Sequence, residues 1–197
     1  MEPRRLVSLA LLLALGGIAS PALQADERRQ TEPSFQGSSL APYVTTPQDV
    51  VERMLALAGV TSKDVVYDLG SGDGRIPITA AKKYGAHGVG VDIDPQRITE
   101  SRANAKAAGV AHLVEFKLQD AMATDVSPAT VVTVYLLSSA NLKLRPILTK
   151  QLRPGARIVS HAFSMGDWAP ERVEDIPSKN GTVETIYLWR ADGKFRP

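Results

Sequence analysis

Three short stretches hold the residues that could do chemistry. The densest is Asp68-Leu-Gly70-Ser71-Gly72-Asp-Gly74, which directly follows the apolar run Val65-Val66-Tyr67. Lacking a Cβ, its three glycines let the chain bend sharply and let a ligand come close to the backbone. Twenty-four residues beyond Asp68, Asp92 ends the run Gly88-Val-Gly-Val-Asp92. There a carboxylate can accept hydrogen bonds from both hydroxyls of a ribose. Asp94 is better placed by position to cap the helix that starts near Pro95, which leaves Asp92 available for a ligand. Asp120, in Gln119-Asp120-Ala121, ends a third run, where its carboxylate can accept from the amino group of an adenine. Together the three stretches describe a nucleoside site.

Asp68 decides which nucleoside. A carboxylate ahead of the first glycine repels the pyrophosphate of a dinucleotide but pairs with a cationic amine. The methionine moiety of S-adenosylmethionine (SAM) supplies such an amine.

The elements that must position these residues alternate in type. Apolar, β-branched runs at residues 64–69, 88–93, 114–118, 131–137 and 157–161 read as buried strands. Helical patterns at 76–84, 95–108 and 141–151 lie between them, so strand, helix and strand repeat. That repeat implies a right-handed α/β winding, with a parallel sheet and helices on both faces. Ligands in such sheets bind at the carboxyl ends of the strands, where all three aspartates fall. A further helix starts with Thr46 as its cap and Pro47 at its first position, and closes at Gly59. Residues 172–176 and 182–190 flank Asn180-Gly181, a hairpin signal that predicts an antiparallel end to the sheet.

Composition sets the outer limits. The 197 residues suffice for one domain with extensions, and 44% apolar content is that of an ordinary globule. Basic and acidic residues number 23 and 21, and without residues 1–25 the counts are 21 and 20. With no basic excess, nucleic acid is a poor candidate partner. Cysteine is absent, which removes disulfides, thiolate metal sites and cysteine nucleophiles. His87, His112 and His161 lack ligand spacing, so no metal is expected. Arg4-Arg5, the apolar run Leu6 to Ala19 and small residues through Ala22 and Ala25 read as a secretory signal peptide or a short N-terminal anchor over residues 1–25. Residues 26–41 read as a flexible linker and 42–197 as the folded domain. The expected location is exported, periplasmic or anchored in the inner membrane, and cytoplasmic if Met1 is not the true start.

With its motifs in this order, the chain resembles the seven-stranded, class I SAM-dependent methyltransferases over nearly all of residues 42–190. The resemblance implies a Rossmann-like, seven-stranded, mostly parallel sheet with an antiparallel C-terminal hairpin. It also implies SAM as cofactor: Asp68, Gly70 and Gly72 lining the methionine part, with Ser71 and Gly74 of the same turn also cofactor-binding; Asp92 on the ribose; Ile93, Asp120 and Ala121 at the adenine. Tyr43-Val-Thr-Thr-Pro47 together with the glycine turn is similar to a narrower group, the mitochondrial lysine methyltransferases acting on the adenine nucleotide translocase and on the c-type subunit of ATP synthase. That similarity implies a lid formed by Tyr43 and Thr45, and a protein lysine as acceptor. A small molecule or lipid near the membrane is the alternative acceptor, and a non-catalytic, exported nucleoside-binding protein the alternative function. Methyl transfer needs alignment and water exclusion more than catalytic side chains. Tyr135 and Asn141 flank the place where this fold presents its substrate and are the catalytic candidates, with Asn141 equally able to cap a helix. His161 and Trp168 are candidates for the substrate wall, and Lys143 and Arg145 are expected on a solvated helix face.

Overall fold

The computed structural model describes residues 43–177 and 182–197. The expected signal or anchor, the linker and the Asn180-Gly181 turn lie outside the described residues. Among the described residues no helix is long and apolar enough to cross a membrane.

Seven strands form one sheet: β1 (Val65–Leu69), β2 (His87–Asp92), β3 (Val114–Leu118), β4 (Val131–Val134), β5 (Arg157–His161), β6 (Arg172–Pro177) and β7 (Val183–Arg190). Their spatial order is β3-β2-β1-β4-β5-β7-β6. The first five run parallel, and β7 pairs antiparallel with both β5 and β6. The chain winds outward from β1 to β3, then returns to lay β4 against the other side of β1. The winding therefore reverses between β1 and β4, and helices diverge there to leave a crevice above the carboxyl ends of the strands.

The helices are α1 (Gln48–Leu57), α2 (Arg75–Tyr84), α3 (Pro95–Ala107) and α4 (Ser138–Gln151). Alternation along the strands divides the core between two faces. Val66, Val131, Val159 and Ile186 meet Val50, Met54 and Ile76 of α1 and α2 on one side. On the other, Leu69, Val132, Ile158 and Trp189 meet Leu144 and Leu148 of α4. Burial on both faces explains why the central strands read as continuous apolar runs. At the amino ends of the strands, buried Asp64 accepts from Thr130 Oγ1 at 2.7 Å and ion-pairs with Arg157, which ties β1, β4 and β5 together.

Two boundaries differ from the sequence reading by three residues. β4 stops at Val134, not Leu137, because Val134 is the last residue with partners, Leu69 in β1 and Ser160 in β5. Beyond it β1 bends at Gly70 and β5 at Ala162, both with positive φ, so no neighbour remains to bond. Tyr135 to Leu137 accordingly leave the sheet at the crevice. α4 then begins at Ser138, three residues earlier than expected.

Gly90, at the centre of β2, has no room for a side chain. A Cβ there would lie 2.6 Å from the Phe116 ring and 2.7 Å from Ser71 Oγ. Overpacking of this kind costs about 1–3 kcal/mol. Gly90→Ala should lower unfolding free energy by that amount in urea titration, whereas Gly109→Ala, where the space is open, should show only the cost of its positive φ.

Candidate functional site

The crevice is built on the bend between β1 and α2. Gly70 and Gly72 have φ of 84° and 52°, values that few residues other than glycine adopt. The bend is fixed from the neighbouring strand: Gly72 N–H donates to Asp92 Oδ2 at 2.8 Å, and Asp94 N–H donates to Asp92 Oδ1 at 3.0 Å. Each Asp92 oxygen keeps a further lone pair for a ligand hydroxyl. Asp94 caps α3 by accepting from Gln96 N–H at 2.7 Å, the role its position predicts. Asp120 likewise accepts from Met122 N–H and starts a single 3-10 turn at Ala121–Ala123.

Asp68 is almost completely buried, and Thr133 Oγ1 donates to its Oδ1 at 2.7 Å. Burial, reinforced by the charges of Asp92 and Asp73 and opposed by the Thr133 bond, pushes its carboxyl up to about 7. Ser71 also lines the crevice, and its Oγ is buried beside Gly90 without a hydrogen-bond partner. A buried carboxyl raised in this way suits a cationic group.

Over the bend lies the segment before α1. A Cβ on Gly72 would meet the Tyr43 ring at 2.7 Å, so glycine is what lets that ring lie on the turn. The Arg97 guanidinium lies over the Tyr43 ring at 4.4 Å. Arg75 Nη1 donates to the Thr46 carbonyl at 2.9 Å while its Nη2 pairs with Asp73 at 2.5 Å, which ties the same segment to the bend.

At the far side of β1, Tyr135 lines the crevice and its ring lies tilted against His161, centroids 4.0 Å apart. Burial, then the Glu184 charge, raises the Tyr135 phenol above its ordinary value, so it stays protonated. His161 is fully buried, with Nδ1 3.2 Å from Thr46 Oγ1 and Nε2 3.0 Å from Glu184 Oε2. Burial lowers its pKa more than Glu184 raises it.

The ANTKMT methyltransferase domain matches residues 68–172, from the buried aspartate to the start of β6. This chain belongs to the ANTKMT methyltransferase family. A protein-lysine N-methyltransferase of Saccharolobus islandicus is 46% identical over 149 residues, 75% of this chain and 92% of that protein. The ATP synthase c-subunit lysine N-methyltransferase of Xenopus laevis is 30% identical over 162 residues, 82% of this chain and 67% of that protein. Among solved structures, an RNA methyltransferase from Salinibacter ruber in complex with S-adenosyl-L-homocysteine is 54% identical with a TM-score of 0.74, covering 78% of this chain and 97% of that one. The chain is a SAM-dependent methyltransferase.

In this methyltransferase, Tyr43, Thr45, Asp68, Gly70, Ser71, Gly72, Asp92, Ile93, Asp120, Ala121 and Tyr135 all line one crevice, as their sequence pattern anticipates. Gly74 does not. A Cβ at Gly74 would strike Phe116 and Ser101, so its missing side chain serves the packing of α2 on α3 and β3. Asn141 is also absent from the lining and caps nothing. Its Nδ2 donates to Ser160 Oγ at 3.1 Å and to the Phe163 carbonyl at 3.0 Å, which holds the loop after β5. Trp168 is no substrate wall, since it packs at 6.0 Å from Trp189 and accepts from Trp189 Nε1 through its carbonyl. Arg145 is not solvated either. It pairs with Asp167 and bonds the carbonyls of Met165 and Pro197, while Lys143 is exposed as expected. Arg75 and Arg97 join the crevice without any signal in their local sequence, and Thr46, read as a helix cap, joins them.

A carboxyl raised above its unfolded value of about 3.9 destabilises the folded state at any pH above that value. The cost is complete above pH 7 and relieved as pH falls from 7 towards 4. Asp68→Asn should therefore raise the Tm of the cofactor-free protein by several degrees at pH 8, with the difference shrinking at pH 5, as thermal unfolding at the two pH values will show.

Proposed function

We propose that this methyltransferase transfers the methyl group of SAM to the side-chain amine of a protein lysine. The lysine specificity for which the Saccharolobus and Xenopus relatives are named carries this reading. Arg75 and Arg97, the two guanidiniums that line the crevice, are each ion-paired within the protein and so offer no free cation to a phosphodiester. The Salinibacter protein, an RNA methyltransferase by name, supports a nucleic-acid acceptor, a second reading that the near balance of acid and base in the sequence disfavours.

Bound SAM would supply a methyl group on a sulfonium, open to displacement in one step. Asp68 would take its amino group through charge, and the bend at Gly70 to Gly72 would admit its amino acid tail. The free lone pairs of Asp92 suit the ribose hydroxyls, with Ile93, Asp120 and Ala121 around the adenine. Tyr43 and Thr45 would close over it and shed water. Tyr135, with its proton retained, would flank the aliphatic part of the acceptor. A lysine amine has a free pKa of about 10.4, so a dry acceptor site also favours its reactive neutral form. If residues 1–25 act as an export signal or anchor, the acceptor would lie at or beyond a membrane, which fractionation and N-terminal sequencing of the native protein will test.

Because a cationic amine pairs with ionised Asp68, SAM affinity should fall on the order of tenfold between pH 8 and pH 6 in isothermal titration. Asp68→Asn should bind at least about tenfold more weakly and lose that pH dependence. For the acceptor, tritiated SAM incubated with the protein and a cell extract should label protein, with the radioactivity recovered as methyllysine after hydrolysis. Label removed by ribonuclease would overturn the lysine assignment.

A further inference from the structure

By its sequence Thr46 is a helix cap, but its hydroxyl does not cap α1. Pro47 holds that position without a side-chain bond. Thr46 lines the crevice instead, and its Oγ1 lies 3.2 Å from Nδ1 of buried His161. The other imidazole nitrogen, Nε2, lies 3.0 Å from Glu184 Oε2 on β7. A carboxylate only accepts hydrogen bonds, so Nε2 carries the imidazole proton. Nδ1 must then accept, and the Thr46 hydroxyl is the donor it faces. With its hydrogen committed to His161, the Thr46 oxygen can offer the crevice nothing but lone pairs.

We propose that Thr46, oriented through His161 by Glu184, is the hydrogen-bond acceptor that receives an N–H of the substrate amine and turns its lone pair toward the methyl group. Thr46 touches the substrate, whereas His161 and Glu184 are positioning residues. The inference rests on the lysine reading above. Its location fits: Thr46 and Tyr135 both contact His161 on the β4–β5 side of the switch point, opposite the Asp92 and Asp120 ends of β2 and β3. The arrangement also has a polarity that acid reverses. Protonated His161 would donate from Nδ1 to the Thr46 oxygen, freeing the hydroxyl hydrogen to face the amine as a second donor. The groups facing His161 are Glu184 from β7, Tyr135 from the loop after β4 and Thr46 from the segment before α1; among them Glu184 is the charged one. Burial keeps the imidazole below its ordinary pKa, so the productive polarity holds at neutral pH.

The test combines kinetics with imidazole NMR on the full chain. Nitrogen-15 spectra of the cofactor-free protein should show His161 as the Nε2–H tautomer, and Glu184→Gln should disturb it. Thr46→Val, which keeps shape and removes the hydroxyl, should lower kcat for a lysine acceptor on the order of 10- to 100-fold, with Kd for SAM changed less than twofold. Thr46→Ser should restore most of the loss. At saturating SAM the wild-type rate should fall on the acid side in step with the His161 NMR titration, and that limb should disappear in Thr46→Val. A Thr46→Val protein as fast as wild type, a tenfold rise in its Kd for SAM, or an Nδ1–H tautomer would each overturn the proposal. Wild type that labels no lysine would remove the lysine reading and this inference with it. Wild type that labels lysine beside an unimpaired Thr46→Val would remove the inference alone.

Discussion

The hydrogen bond from Gly72 N–H to Asp92 Oδ2 joins the ends of β1 and β2 and holds the glycine bend open. Much of the site follows from that one contact. The bend lets α2 start at Arg75, keeps Asp68 beneath it away from water, and leaves a floor on which the Tyr43 ring rests. Because Asp92 spends only one lone pair of each oxygen on the backbone, the residue that shapes the loop can still meet a ligand. The carboxylate that fixes the scaffold is thus the one we propose for recognition.

Asp68 shows what such a site costs the empty protein. Its charge is held against burial by a single hydroxyl donor, with two other carboxylates close enough to raise it further. A cation is the partner that relieves this, which makes the buried charge a selective device as well as a liability. Thr133, which supplies the lone donor, sits on β4 directly opposite Asp68 in the sheet register. The tuning of the carboxyl thus depends on strand pairing.

Much of this was legible in the sequence. All seven strands and four helices fall close to the runs that predict them, since apolar periodicity and glycine punctuation are local signals that burial on both faces of a parallel sheet makes strong. The three aspartates were legible because each ends a strand, and strand ends in an α/β winding converge at one place. Less legible were residues whose role depends on a partner far along the chain. Thr46 and His161 are 115 positions apart, and Arg145 meets the chain terminus 52 positions away. Asn141, flanking the crevice in sequence, lies inside α4 because the helix begins three residues early, and its amide bonds the loop after β5.

By itself the sequence determined the order of the elements, the bend at Gly70 to Gly72 and the aspartates at the strand ends, because these depend on neighbours within a few residues. The tertiary structure decided that Thr46 serves His161 rather than its own helix, that Glu184 reaches the buried imidazole, and that Gly74 yields space to Phe116. Each of those outcomes depends on which segments the folded sheet brings side by side, and no local preference of the chain encodes that.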